Sequence, residues 1–389
     1  MRQLFVLWAL VGLLAPWSAQ AYPWMIRHGY ASCAACHADP SGSGLLTPYG
    51  RAQSELLLAA TYGKTKEDVS PSTNFLFGAV PLPDWLNLGL SFRGGALVNK
   101  VPSAAAAVRP LQMASDLRGL ATLGQFRVGA SVGFAARRAR LAALTSSETN
   151  NLVSREHWLG WANEEGTVFA RAGRVNLPFG LRNAEHVTWV RERTRTDTNE
   201  HQQYGATLAY NGENVRGEVM AIAGNYLVNP DAYRERGYAG YLEWSPSTNL
   251  AVGVSSLTTR ARYDIDTVEP GFWRQAHGVF GRWAVVQPVV VMAEADVLVN
   301  SSREQSAAMG YTGLLQVDVE PVQGLHLLVS GEALRPVRGV GTNLGAGLGV
   351  GFVFLPQVEL RFDGYARNLA STSGGTNTLT ILSQLHFSL

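Results

Sequence analysis

Gln357-Val358-Glu359-Leu360-Arg361-Phe362-Asp363-Gly364-Tyr365 is the stretch on which the fold turns. Val358, Leu360 and Phe362 alternate with Glu359, Arg361 and Asp363, so apolar and charged side chains take turns. A period of two belongs to a β-strand, whose successive side chains point to opposite faces. An apolar face backed by a charged one needs two different surroundings, and a strand between lipid and a wet lumen has them. The pattern recurs. Leu86, Leu88, Leu90 and Phe92 alternate with Asn87, Ser91 and Arg93. Val291, Ala293, Ala295 and Val297 alternate with Met292, Glu294 and Asp296, and Leu315, Val317 and Val319 with Gln316, Asp318 and Glu320. A soluble antiparallel sandwich also alternates, burying its apolar face on a second sheet.

Turn spacing favours the barrel. About sixteen strands are expected, near 86–99, 116–122, 125–136, 155–163, 167–175, 204–211, 214–223, 236–245, 249–259, 275–285, 289–299, 309–319, 323–333, 346–354, 357–367 and 378–388. Every second connection is tight, as at Leu123-Gly124, Asn211-Gly212-Glu213, Gln287-Pro288 and Leu355-Pro356, and the others are longer and polar. Short turns on one side and long loops on the other mark an outer-membrane barrel. An even count leaves both ends of the barrel on the short-turn, periplasmic side. After the N-terminus no apolar run reaches the ~18 residues of a membrane helix. Leu379, Ile381, Leu385, Phe387 and Leu389 share one face of the last strand. They resemble the C-terminal insertion signal of such barrels, except that the chain ends on Leu389 and not an aromatic. Trp158, Trp161, Trp189, Tyr238, Tyr241 and Trp244 are candidates for interfacial girdles or for packed lumen residues. A net charge of +2 gives no argument for nucleic acid as a partner.

The first residues read as a secretory signal. Arg2 is the charged start, Leu4 to Leu14 the apolar core and Ala19-Gln20-Ala21 the cleavage site, so the mature chain begins at Tyr22.

Between signal and barrel stands Cys33-Ala34-Ala35-Cys36-His37. Two thiols two residues apart reach the two vinyl groups of one haem, and the adjacent histidine supplies an axial nitrogen. The rival readings are a redox dithiol, half a zinc site or chance. A zinc site needs more ligands nearby, and the chain has no other cysteine. A thioredoxin-like dithiol needs a βαβ context, which is missing. With both cysteines on one covalent haem c, no intrachain disulfide is left. His37 is the expected proximal ligand, and Met25 and His28 are the nearest sequence candidates for the second axial position, with water or a barrel histidine as the alternatives. The segment from 22 to about 75 is too short to bury much surface alone. Gln53 to Ala60 is its one expected helix, with Leu56, Leu57 and Ala60 as the apolar face. Ser41-Gly42-Ser43-Gly44 is a loop.

The longest connection, Asn176 to Gln203, carries Arg182, Arg191, Arg193 and Arg195 with Glu185, Glu192, Asp197 and Glu200. The preceding Gly173-Arg174-Val175-Asn176-Leu177-Pro178-Phe179-Gly180 resembles a motif of bacterial porins, whose third loop folds inward. By that resemblance this loop lines the constriction. A solvated surface loop carries the same mixture of charges. Of His157, His186, His201, His277, His326 and His386, alternation turns His326 and His386 toward the lumen.

Pro23-Trp24-Met25-Ile26-Arg27-His28-Gly29-Tyr30-Ala31-Ser32, the haem motif and Leu46-Thr47-Pro48-Tyr49-Gly50-Arg51 resemble the N-terminus of the fused cytochrome–porins. These are outer-membrane monohaem proteins, some of them iron oxidases, and the order signal, haem segment, barrel matches over the whole chain. The resemblance implies Cys33 and Cys36 as thioether sites and His37 as axial ligand. It also implies an all-β fold: a transmembrane antiparallel β-barrel (residues 76–389) behind a signal peptide (1–21) and a small irregular or helical haem domain (22–75). The expected function is electron transfer from an extracellular donor, Fe(II), to a periplasmic cytochrome, with outer-membrane lipid around the barrel. The alternatives are a diffusion porin with a haem-bearing plug and a conduit running outward. Placed inside the lumen, the haem segment would lie near loop 176–203, with Arg182, Arg191, Arg193 or Arg195 in reach of a haem propionate. The lumen carboxylates Glu294, Asp296, Glu359 and Asp363 would favour a cation.

Overall fold

The computed structural model describes residues 22–388 apart from 43, 65–68, 70–72, 103–104, 135–151, 183–186, 199–200 and 373. The signal segment, Glu185, His186, Glu200 and Leu389 lie outside the described residues.

The strands are β1 Leu86–Lys100, β2 Ala107–Leu123, β3 Phe126–Phe134, β4 Leu152–Val153, β5 His157–Ala162, β6 Val168–Val175, β7 Gln203–Asn211, β8 Val215–Gly224 and β9 Arg236–Ser247. They continue as β10 Leu250–Tyr263, β11 Pro270–Val286, β12 Val289–Ser301, β13 Ala308–Val322, β14 Leu325–Arg335, β15 Asn343–Leu355, β16 Val358–Leu369 and β17 Thr376–Ser388. Each pairs antiparallel with its neighbours, and β17 returns to β1 with Ser388 opposite Ser91, so the sheet closes. The two-residue β4 and β5 both pair with β3 and make one stave, which leaves a closed barrel of 16 strands. Closure removes every free sheet edge. The expected strands are all present within a few residues, except that β2 starts at Ala107 and not near 116. Pro110 and a run of alanines hide its first half, whose side chains show no clean alternation.

The stretch 357–365 behaves as its pattern requires. Leu360 and Phe362 are 37% and 50% exposed on the outside, while Arg361 and Asp363 are 3% exposed within. Val358 is the exception. It lies at the strand's first residue opposite Phe387, whose ring neighbours Phe92, and this contact buries it. The aromatic candidates divide. Trp161, Tyr238 and Trp244 face outward and are exposed, whereas Trp158, Trp189 and Tyr241 are buried inside. His326 and His386 face inward and are buried. No helix among the described residues is long and apolar enough to cross a membrane.

The N-terminal helix sits earlier than expected. It is α1, Pro48–Gln53, continued by a wider turn over Ser54–Leu58, in place of Gln53 to Ala60. Thr47 caps it, its hydroxyl accepting from the Gly50 amide at 3.0 Å, and Pro48 suits the first helical position. That start signal outweighs the Leu56-Leu57 periodicity. The buried face is Gly50, Arg51, Ser54 and Leu58.

Residues 22–62 lie within the barrel wall, at the end bounded by the tight turns. Trp24, Ile26, Leu58 and Ala59 pack with Tyr241, Phe280, Met292 and Val353 of the wall and Leu181 of the long loop. A second cluster higher in the lumen joins Leu177 and Phe179 to Trp158, Phe169, Met220 and Leu257. Burying a side chain such as Ile26 or Leu58 is worth about 1.5–3 kcal/mol, so the segment draws its core from the wall.

Candidate functional site

The N-terminal segment forms a plug, and its polar side chains are met around the whole circumference. Tyr22 donates its hydroxyl to Glu359 of β16. Arg27 pairs with Asp318, and with Glu320 at 3.1 Å, both on β13. Trp24 lies over His326 of β14 at 4.0 Å between ring centroids, and His326 Nδ1 is 3.1 Å from Asp318. On the opposite wall Asp39 meets Arg171 at 3.2 Å and Asn176 at 3.1 Å. Arg282 donates to the Ala31 carbonyl at 2.7 Å, and Arg51 to Asn87 and to the Leu88 carbonyl of β1. One bond is main chain to main chain: the Ala60 amide donates to the Val353 carbonyl at 2.9 Å. It runs beside Gly324, where a Cβ would come 2.8 Å from the Ala60 nitrogen, so the turn needs glycine there.

These charges are buried, and a buried charge persists only with partners. Burial opposes ionisation of Asp39, but Arg171, Arg182 and Asn176 outweigh it and hold the carboxyl at about 2. The pairs set the plug's position more than they add net stability, since desolvation offsets most of their attraction.

Cys33–Ala35 form one tight helical turn in which the amides of Cys36 and His37 both donate to the Cys33 carbonyl, at 3.1 and 3.0 Å. His37 is buried and bridges to Leu46 as a short antiparallel contact. Gly50 of α1 backs the turn so closely that a Cβ would sit 2.3 Å from the Cys36 carbonyl oxygen. Both thiols are free and half-buried. Burial, and then Cys33, push the Cys36 thiol up to about 11. A redox dithiol needs the opposite shift.

The long loop folds inward. Its helix α2, Trp189–Thr194, is buried through Trp189, Val190, Arg191 and Thr194. Arg191 pairs with Glu294 of β12, and Arg195 with Glu235 at 2.7 Å and Asp264 at 2.8 Å. The Trp189 amide donates to Glu332 at 2.8 Å. Arg193 is exposed and, among the described residues, pairs only with its neighbour Glu192, at 3.4 Å. Arg182 alone of the four expected arginines reaches the plug, at Ser41, 2.9 Å away.

The residues present fit a covalently attached haem in their donor chemistry: two thiols on one turn, with an imidazole next in the chain. Arg182 stands on the inner side of the turn, its Nε and Nη1 buried without a partner among the described residues. Arg182 and Cys33 line a cavity of about 10 Å³, room for one water at most and not for a macrocycle, while the turn's other side is open at the exposed Ala35. Tyr30 and Tyr49 join their hydroxyls on the exposed surface at 2.7 Å. His28 is placed with Nε2 3.8 Å from Glu320, and Met25 packs on the apolar cluster, so both are engaged with the wall. No three His, Cys, Asp or Glu groups converge as a metal site among the described residues. A haem iron takes only one or two ligands from the protein. Sequence reasoning missed Arg27, Asp39 and Arg51 as the plug's anchors. The inward-facing Asp318 and Glu320 were visible as charges in need of partners, and no periodicity marked Asp39.

No protein-family model matches the chain, and no curated protein sequence does. Solved structures do. OmpT of Vibrio cholerae, in a form lacking loop L8, superposes with a TM-score of 0.58 at 10% identity, covering 77% of this chain and 98% of that one. An anion-selective porin from Comamonas acidovorans gives 0.56 at 11%, covering 77% and 98%. The outer membrane channel DcaP of Acinetobacter baumannii gives 0.51 at 12%, covering 77% and 96%. At such identity the likeness is one of fold, and the fold is that of the outer-membrane porins.

Proposed function

We propose that this chain is an outer-membrane barrel stopped at its periplasmic end by its own N-terminal segment, and that the segment carries one c-type haem on Cys33 and Cys36 with His37 as axial ligand. The reading allies the chain with the fused cytochrome–porins. The observation that carries it is the position of the Cys-x-x-Cys-His turn, on a plug pinned to opposite walls through Arg27 and Asp39. When bound, a haem supplies a one-electron centre. The chain's residues then hold that centre in place: Gly50 admits the turn, and the apolar cluster keeps water from the wall contacts. Electrons pass from an extracellular donor, Fe(II), to a periplasmic cytochrome.

A second reading is supported by the solved barrels, which include an anion-selective porin and a channel. In it the chain is a diffusion pore and the haem-bearing plug is its gate. Liposomes separate the two. Haem reduction by Fe(II) added on the loop side, in vesicles that hold their ion gradient, supports the conduit. Steady ion flux without such reduction overturns it in favour of the pore.

A further inference from the structure

Along β11 the outward side chains run Trp283, Gly281, Val279, His277, Gln275, Trp273. The ten residue steps from one tryptophan to the other span about 33 Å of strand, or about 25 Å of height at a barrel's tilt, which is the apolar band of an outer membrane. Through Val252, Trp244 on β9 is in register with Gly281, one outward position from Trp283, and through Thr258, Tyr238 is in register with Gln275, one outward position from Trp273. At the upper edge, on the long-loop side, the outward face opens into a cleft of about 750 Å³. Arg236, Arg260, Arg262 and Arg303 line it, and no carboxylate does.

Arg260 lies over Trp273 at 5.4 Å and Arg262 over Tyr263 at 6.0 Å, so two of the guanidinium groups rest against aromatic rings. Arg236 meets Asp231 at 2.8 Å, but Arg260, Arg262 and Arg303 make no ion pair among the described residues. Elsewhere the pattern is different: the inward arginines 171, 191, 216, 274, 282 and 361 all pair with carboxylates. Three unpaired guanidinium groups at the rim of the apolar band leave charge there for an anion to meet. Planar forks match the oxygens of carboxylate and phosphate groups alike, and several forks in one cleft suit the multiple oxygens and higher charge of a phosphate.

We propose that this cleft is a binding site for the phosphate groups of a phosphorylated glycolipid of the outer leaflet. Charge selects the ligand, and position selects its source. A headgroup phosphate stands at the top of the band while its acyl chains lie against Val254, Val279 and Leu242 below, all of them exposed. The proposal rests on the outer-membrane reading and on the long loops facing outward.

The test uses the full-length barrel purified in detergent and incubated with bis-phosphorylated lipid A, monophosphoryl lipid A or phosphatidylethanolamine. Lipid retained per barrel is counted by native mass spectrometry. Arg260→Gln, Arg262→Gln and Arg303→Gln together should lower retention of bis-phosphorylated lipid A by about tenfold, the effect of three modest charge contacts. Monophosphoryl lipid A should be retained less well, and phosphatidylethanolamine equally by both proteins. The Lys triple variant controls for loss of folding and should keep most of the binding. Equal retention by wild type and Gln variant, with both barrels shifted on an unboiled gel, overturns the site alone. So does displacement of the lipid by millimolar inorganic phosphate, which would make the cleft a site for soluble anions. Fractionation of the native protein away from the outer membrane overturns the localisation and the lipid site with it.

Discussion

Two parts of one chain fill the lumen, and they differ in how they are tied to the wall. On the reading that the mature chain begins at Tyr22, the plug within residues 22–62 joins the barrel through a single connection to β1. The long loop joins it at both ends, to β6 and to β7. Each is locked by buried ion pairs, Arg27 with Asp318 and Glu320 in the plug, Arg191 with Glu294 in the loop. A part fixed at one end is able to leave as a unit without breaking a strand pair. A part fixed at both ends is not. The same ion pair therefore sets occupancy in the plug and only local shape in the loop.

The largest expected effect tests whether haem or wall seats the plug. Cys33→Ala with Cys36→Ala should abolish covalent haem completely, as read by haem stain after denaturation. Neither thiol makes any of the wall contacts described, so the protease map of residues 22–62 should stay that of wild type. Release of the plug in this variant would show that the cofactor, and not the wall, holds it. Next comes Arg27→Ala, which takes the guanidinium from buried Asp318 and Glu320 and leaves them only His326 and the Gly324 amide as close partners, at a cost of up to about 3–5 kcal/mol. It should raise single-channel conductance and expose the plug to protease. Arg191→Ala strands Glu294 at a similar cost, yet conductance should stay low because the plug remains below. Equal opening by both variants would erase the distinction between the two parts.

Acid gives a smaller effect. Burial opposes ionisation of Glu235, but Arg274 and Arg195 outweigh it and hold the carboxyl well below its ordinary 4.5. A depressed folded value stabilises fully above the unfolded one and is lost on the way down through the folded one. Protection of the loop from protease should thus be flat from neutral pH to about 4.5 and decline only in stronger acid, a window set by the ordinary carboxylate range. Decline between pH 7 and 5 would place the latch elsewhere. The smallest effect belongs to Arg193→Ala. Its pair with Glu192 is exposed, so thermal stability should move by no more than about 0.5 kcal/mol.

The barrel was legible in the sequence because lipid and lumen impose opposite chemistry on alternate residues, and 357–365 shows it without help. The plug was legible only as a motif. Cys33, Cys36 and His37 are read from spacing, but the partners of Arg27 lie some 290 residues away, at Asp318 and Glu320. Local periodicity carries no trace of such pairs. The helix was misplaced for a related reason: Leu56 and Leu57 have the right spacing, while Thr47 and Pro48 hold the start signal. The inward turn of loop 176–203 needed Glu294, Glu332 and Glu235, which are unremarkable lumen charges until the loop is seen against them.

The contact between Tyr22 and Glu359, 337 residues apart, bears on the order of assembly. The first part of the chain to reach the periplasm is the last to find its place, since β16 and the closing pair of β17 with β1 must exist before Glu359 has a fixed position. Contacts of such separation form late. Until then the Cys-x-x-Cys-His turn is not enclosed, and after closure the wall surrounds it. On the haem reading, maturation of the cofactor precedes insertion of the barrel, and a chain inserted too early would carry its two thiols unmodified for the rest of its life.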